Sequence, residues 1–127
     1  AGELSNLLNV PSGVIKKDLI QSIEKITQSG VGVLVAKGAP SLISDGKYGF
    51  INSTGNPGLA TAGSGDILSG IITSFIAQGY KLIEATVISC YIHGYAADIK
   101  SKEISERGII ASDLLIEIGK KLSEYEL

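Results

Sequence analysis

An α/β domain, and only half of a sheet-centred one, is what the sequence predicts, and three observations predict it. A charged amphipathic segment at residues 15–28 runs into a short β-branched stretch at 31–36. Two more strand-like pieces flank an Asp-Gly pair at 45–46. Everything after a glycine-rich linker at 55–66 reads as helix.

In the first helical segment Ile15, Leu19, Ile23 and Ile26 recur every three or four residues with charges between them, the pattern of one buried stripe, and Ser29-Gly30 stops it. Residues 31–36 are apolar without alternation, as a parallel strand covered on both faces would be. Residues 42–44 and 48–52 are shorter strands joined by Asp45-Gly46-Lys47, a hairpin signal because Asp and Gly both tolerate positive φ. A helix over 66–78 carries Ile67, Leu68, Ile71, Ile72, Phe75 and Ile76 on one face and small residues on the other. A second spans 82–98, a polar loop covers 100–107, and Ser112 reads as the N-cap of a last helix over 113–122.

At 127 residues with 44% apolar content the chain suffices for one core, and residues 1–127 are expected to form a single soluble domain. Eleven basic against thirteen acidic residues, with no run of five like charges, give a polyanion no landing strip, so nucleic acid is excluded as a partner. The lone Cys90 cannot make an internal disulfide and lies in an apolar segment, which points to a reducing, cytoplasmic setting. No apolar stretch reaches eighteen residues, so no membrane association is expected. The chain contains no methionine and opens at Ala1-Gly2-Glu3, inside what reads as a working element; the expectation is a fragment or a processed piece.

The linker Gly55-Asn56-Pro57-Gly58-Leu59-Ala60-Thr61-Ala62-Gly63-Ser64-Gly65-Asp66 carries the chemistry. With Gly63 and Gly65 free of the usual φ limits, consecutive N–H groups can converge on one spot, and the following helix adds its unsatisfied N–H groups and positive dipole end. Phosphate suits such a place. The string is not a Walker loop, since no Lys-Ser/Thr follows the last glycine, and the preceding hairpin strand argues against a dinucleotide fingerprint. A carboxylate at an anion site, Asp66, repels the ligand unless its charge is useful, so it reads as a general base. Its alternative reading is a simple helix cap.

The stretch from Gly55 through Gly-Ser-Gly-Asp-Ile-Leu-Ser-Gly-Ile-Ile closely resembles the signature of the NAD(P)H-hydrate dehydratases, within the ribokinase-like superfamily. Gly2-Glu3-Leu4, Lys37-Gly38-Ala39-Pro40-Ser41, Tyr91-Ile92-His93-Gly94 with Ala96-Ala97-Asp98, and Ala111-Ser112-Asp113 resemble the same family in the same order. The resemblance implies a three-layer ribokinase-like fold with flanking helices, of which this chain would be the C-terminal half, since family members are about twice as long. It also implies repair of hydrated NADH or NADPH with ADP or ATP as phosphoryl donor and Mg2+ on the phosphates. Asp66 would deprotonate the ring hydroxyl, with Glu3 and Asn56 as further substrate contacts. Gly63, Ser64 and Gly65 would hold the phosphates, and Lys37, Gly38, Ala39, Pro40 and Ser41 the adenosine side. Ser41 stands where the family more often has threonine.

Some residues stay open. Glu3 reads equally as a first-turn helix acid. His93, the sole histidine, sits inside an apolar helix and reads as packing or a helix-to-loop hydrogen bond; Cys90 reads as core rather than nucleophile. The acidic residues are scattered, so no metal ligands are assigned. The missing half would leave a strand edge exposed, to be covered in a homo-oligomer or by a complementing N-terminal chain. A ribokinase-like kinase for a small hydroxyl compound would use the same anion hole and aspartate, and a non-catalytic nucleotide-binding fragment is a third reading. Asn56-Pro57-Gly58 and Lys37-Gly38 favour the dehydratase.

Overall fold

The computed structural model describes residues 2–30 and 32–125. Its elements run α1 (Gly2–Leu8), α2 (Ser12–Lys17), α3 (Leu19–Gln28), β1 (Leu34–Ala36), β2 (Ser41–Ser44), β3 (Gly49–Asn52), a 3₁₀ turn (Pro57–Leu59), α4 (Ser64–Ala77), α5 (Leu82–Lys100), a second 3₁₀ turn (Glu106–Gly108) and α6 (Ala111–Ser123). They gather into two compact units, Ala1–Ile51 and Asn52–Leu127.

In the first unit the single helix expected over 15–28 is broken at Asp18, which leaves helical geometry (φ −144°, ψ 82°) and accepts the N–H of Gln21 on Oδ1 at 2.9 Å. The carboxylate caps α3 and so separates it from α2. Periodicity hides the break because the apolar stripe continues across it: Ile15, Ile23 and Ile26 are all buried, in one cluster with Leu4 and Ala36.

The strand expected over 31–36 is observed from Leu34 to Ala36, and Val31 lies outside the described residues. It is not parallel. Strand β1 pairs antiparallel with β2, Leu34 opposite Ser44, Val35 opposite Ile43 and Ala36 opposite Leu42. The turn between them decides this: the Ser41 hydroxyl donates to the Gly38 carbonyl at 3.1 Å and accepts the Gly38 N–H at 3.3 Å, folding the chain back along the strand it has just left. The Asp-Gly hairpin is present, with strand order β1-β2-β3. The Asp45 carboxylate accepts from the N–H groups of Tyr48 (2.7 Å) and Lys47 (2.9 Å), which holds its pKa below the ordinary carboxylate value.

In the second unit α5 is the central helix and packs against both α4 and α6. Phe75, Ala85, Ile92, Ala96, Ala97, Ile109, Leu114 and Ile118 form its core. Helices α4 and α6 each start two residues before the expected position and α5 runs two residues further, while α4 ends one residue earlier; terminal turns carry small and polar residues that apolar periodicity does not register. Ser112 is not the N-cap of α6: the helix starts at Ala111, and Asp113 reaches back to accept the Ile110 N–H on Oδ2 at 3.0 Å. Cys90 is core as expected, and burial pushes its thiol up to about 11. Among the described residues no helix is long and apolar enough to cross a membrane.

Small residues on α5 let the segment leaving β3 lie almost on the helix backbone. A Cβ at Gly94 would stand 2.7 Å from the Thr54 carbonyl, inside any tolerable contact. That closeness brings the Asn52 amide to the Cys90 carbonyl (3.1 Å) and the Thr54 hydroxyl to the Tyr91 carbonyl (2.9 Å).

Two substitutions test this packing by urea unfolding. Gly94→Ala is expected to lower stability by about 1–3 kcal/mol, the usual cost of overfilling a packed contact. The Ser89 hydroxyl is fully buried with no partner among the described residues. Ser89→Ala is therefore expected to raise stability by about 1 kcal/mol.

Candidate active site

The candidate site in the second unit is the linker at 55–66 and the start of α4. Asn56 opens it: its Oδ1 accepts the Gly58 N–H at 2.9 Å and so caps the Pro57–Leu59 turn. Its Nδ2 donates to Asp98 Oδ1 at 3.0 Å, while the Gly55 N–H donates to Asp98 Oδ2 at 2.8 Å. The Ala60 N–H closes on the Pro57 carbonyl (3.0 Å) and that of Ser64 on the Thr61 carbonyl (3.3 Å).

Gly63 then turns the chain into α4. It is left-handed (φ 83°, ψ −11°), a conformation that costs any residue with a Cβ about 1–2 kcal/mol, and it occupies the N-cap position without a side chain to offer. The Ile67 N–H bonds to the Gly63 carbonyl at 3.1 Å. The N–H groups of Gly65 and Asp66 find no acceptor among the described residues, and both residues are exposed. Two free donors at the positive end of a fourteen-residue helix are complementary to an anion, and the cap position holds no side chain to block one.

Asp66 is the third residue of α4, so it does not cap the helix. Its carboxylate is exposed and takes part in no hydrogen bond or ion pair among the described residues. Ser64 points the other way: the residue is buried, and its Oγ lies 3.2 Å from His93 Nε2, so what Ser64 presents to the linker is backbone. His93 is itself buried on α5, and burial lowers its pKa, opposed in part by the contact with Ser64.

In the first unit the structure brings together two residues that the sequence named separately. Lys37 Nζ lies 3.5 Å from Glu3 Oε1, both side chains exposed, a geometry worth about 0–1 kcal/mol. Glu3 sits in the first turn of α1, and Lys37 directly follows β1. Gly38, Ala39, Pro40 and Ser41 form the turn to β2, in which the Ser41 hydroxyl is engaged by Gly38. Among the described residues no three His, Cys, Asp or Glu side chains gather as a metal site.

Sequence reasoning missed the role of Asp98, whose two carboxylate oxygens serve the first two residues of the linker. The signal available was a charge closing the otherwise apolar run Gly94–Ile99, with no basic residue at helical spacing before it.

The fold is that of the ribokinase-like proteins, and this chain amounts to less than half of one. It superposes on a ribokinase-like superfamily protein from Enterococcus faecalis with a TM-score of 0.78 and 27% identity, over 97% of this chain and 42% of that one. The likeness is greater to an ADP/ATP-dependent NAD(P)H-hydrate dehydratase from Bacillus subtilis, co-crystallized with ATP/Mg2+ and soaked with CoA: TM-score 0.90, 25% identity, 98% of this chain and 47% of that one. In sequence, a bifunctional NAD(P)H-hydrate repair enzyme from Coxiella burnetii is 42% identical over 114 residues, 89% of this chain and 23% of that protein. The NAD(P)H-hydrate dehydratase family profile matches residues 1–120, and the chain belongs to that family.

The buried His93 gives the second unit a pH dependence. Its folded pKa lies below the unfolded value of about 6.5. As pH falls through 6.5 the unfolded chain takes up a proton that the folded chain resists, so stability is full above that value and declines below it. Urea midpoints measured from pH 7.5 to 5.5 are expected to fall for the unaltered chain, with a shallower slope for His93→Gln.

Proposed function

We propose that this chain carries the phosphate-binding turn and catalytic base of a nucleotide-dependent NAD(P)H-hydrate dehydratase, a carbon–oxygen lyase of metabolite repair. The observation that carries the reading is the start of α4, where two free N–H groups stand beside an exposed, unpartnered Asp66. Those donors fit a phosphate. No side-chain cage fits Mg2+ among the described residues, so the ion would be held by the phosphates it accompanies.

ADP or ATP supplies the phosphoryl group that lets the hydroxyl of the hydrated nicotinamide ring depart as phosphate. Asp66 accepts the hydroxyl proton as the oxygen bonds to phosphorus, and the Gly65 and Asp66 N–H groups hold the negative charge on the phosphoryl oxygens. The left-handed Gly63 keeps those N–H groups aimed at one place. Ser64 contributes through its anchorage on His93, which holds the first residue of α4 in place. In the first unit the turn from Lys37 through Gly38, Ala39 and Pro40 to Ser41 is the proposed second nucleotide contact. Glu3 and, in the second unit, Asn56 are proposed substrate contacts.

Residues 1–127 are, on this reading, the C-terminal part of one ribokinase-like nucleotide-binding domain in a cytoplasmic enzyme. Strand β3 ends the sheet with Phe50 and Ile51 exposed, which supports a homo-oligomer or a complementing chain as its cover.

The test mixes the chain and Mg2+ with hydrated NADH plus ADP or ATP and follows the return of reduced-nicotinamide absorbance. Recovery with one nucleotide names the donor. Asp66→Asn is expected to reduce the rate by about 10²–10⁴-fold while lowering the melting temperature only slightly, since the carboxylate's one structural role is its charge in the first turn of α4. A melting shift with nucleotide but no recovery would replace this reading with a non-catalytic nucleotide-binding one. Permanent phosphorylation of another hydroxyl compound would replace it with a kinase.

A further inference from the structure

Three features single out Asp98. Both of its carboxylate oxygens are engaged, and both by the same short segment, Gly55 N–H at 2.8 Å and Asn56 Nδ2 at 3.0 Å. It lies on α5, the helix that also receives Asn52 and Thr54 on its Cys90 and Tyr91 carbonyls and places His93 against Ser64. Asn56, in turn, is a two-ended side chain: with Nδ2 held by Asp98, Oδ1 must face the Gly58 N–H, which it does at 2.9 Å.

We propose that Asp98 is a positioning residue for the anion site: its carboxylate fixes which way the Asn56 amide points, and through it the Pro57–Leu59 turn that leads to Gly63 and the free N–H groups of α4. The donors and acceptors form a chain with one solution. Asp98 can only accept, so Asn56 must donate to it; that leaves the Asn56 oxygen as the acceptor for Gly58. A carboxamide in place of Asp98 sets an NH₂ against the Gly55 N–H in one orientation and against the NH₂ of Asn56 in the other, so one of the two bonds is lost either way. Losing the first frees the chain at Gly55, and losing the second lets the Asn56 amide rotate and aim its own NH₂ at the Gly58 N–H; both loosen the turn. Gly58 has little room for a different course, since a Cβ there would stand 2.7 Å from Ile109 Cδ1 and 2.9 Å from the Glu106 carbonyl.

This role rests on the proposed nucleotide site for its functional consequence, and the experiment keeps the two apart. In the 127-residue chain, amide hydrogen exchange is measured at Gly58 by NMR, and ADP affinity by calorimetry with Mg2+ at a temperature well below unfolding. Asp98→Asn is expected to speed exchange at Gly58 at least tenfold and to weaken ADP about tenfold. The double exchange Asp98→Asn with Asn56→Asp restores complementarity, because the new carboxylate accepts from both the new amide and Gly58 while the new amide oxygen accepts from Gly55. It is expected to return exchange at Gly58 to within about threefold of the unaltered chain. General destabilisation by Asp98→Asn would not be repaired by a second change that removes an amide.

Unchanged exchange at Gly58 in Asp98→Asn, or failure of the double exchange to restore it, overturns the proposal. If the unaltered chain binds no ADP, the nucleotide reading of this chain fails, and the exchange measurements still decide whether Asp98 sets the turn.

Discussion

The second unit depends on how closely one strand-to-helix segment can lie on α5. Ala85, Ser89, Ala96 and Ala97 are fully buried, and Gly94 meets Thr54 where no side chain would fit. Only at that distance can side chains of the segment reach helix carbonyls, which already accept within the helix and use a second lone pair for Asn52 and Thr54. These bonds fix the register of the chain before the linker begins. Asp98 holds the next two residues, and His93 holds the first residue of α4. The glycine-rich stretch is therefore anchored on one helix at both ends, and its flexibility is confined to where Gly63 needs it.

Two aspartates on this scaffold show how neighbours divide one residue type between tasks. Asp98 is half buried and saturated with donors, so its charge is consumed in shaping the backbone. Asp66 is exposed and unengaged among the described residues, so its charge is available to a ligand. Sequence distinguishes them only through context: Asp66 ends a glycine-rich string, whereas Asp98 closes an apolar helix. The first context advertises chemistry and the second resembles an ordinary surface position.

Much of the architecture was legible because it rests on local chemistry. The Asp45-Gly46 hairpin, the helices after the linker and the buried state of Cys90 all follow from short-range pattern and composition. The misreadings arise where a longer-range or single-atom event decides. Apolar residues at 31–36 look alike in a parallel and an antiparallel strand, and the Ser41 hydroxyl folding back on Gly38 settles the matter. Asp18 and Asp113 each redirect a helix start by one side-chain bond that periodicity does not register. In the candidate site the glycine-rich turn into α4 was visible in the sequence, but the partnerships of Ser64 with His93 and of Asn56 with Asp98 span 29 and 42 residues and required the fold.

Cys90 ends up as a built-in clock. Its thiol is buried and held protonated by its surroundings, so an alkylating reagent has neither access nor thiolate while α5 is covered. Its own backbone carbonyl receives the Asn52 amide, and the neighbouring carbonyl receives Thr54. Labelling at this one sulfur therefore counts the moments at which the packing around α5 opens, and it does so without adding a probe or changing a residue. A ligand that steadies the second unit would be read as a slowing of the clock, whatever reaction follows.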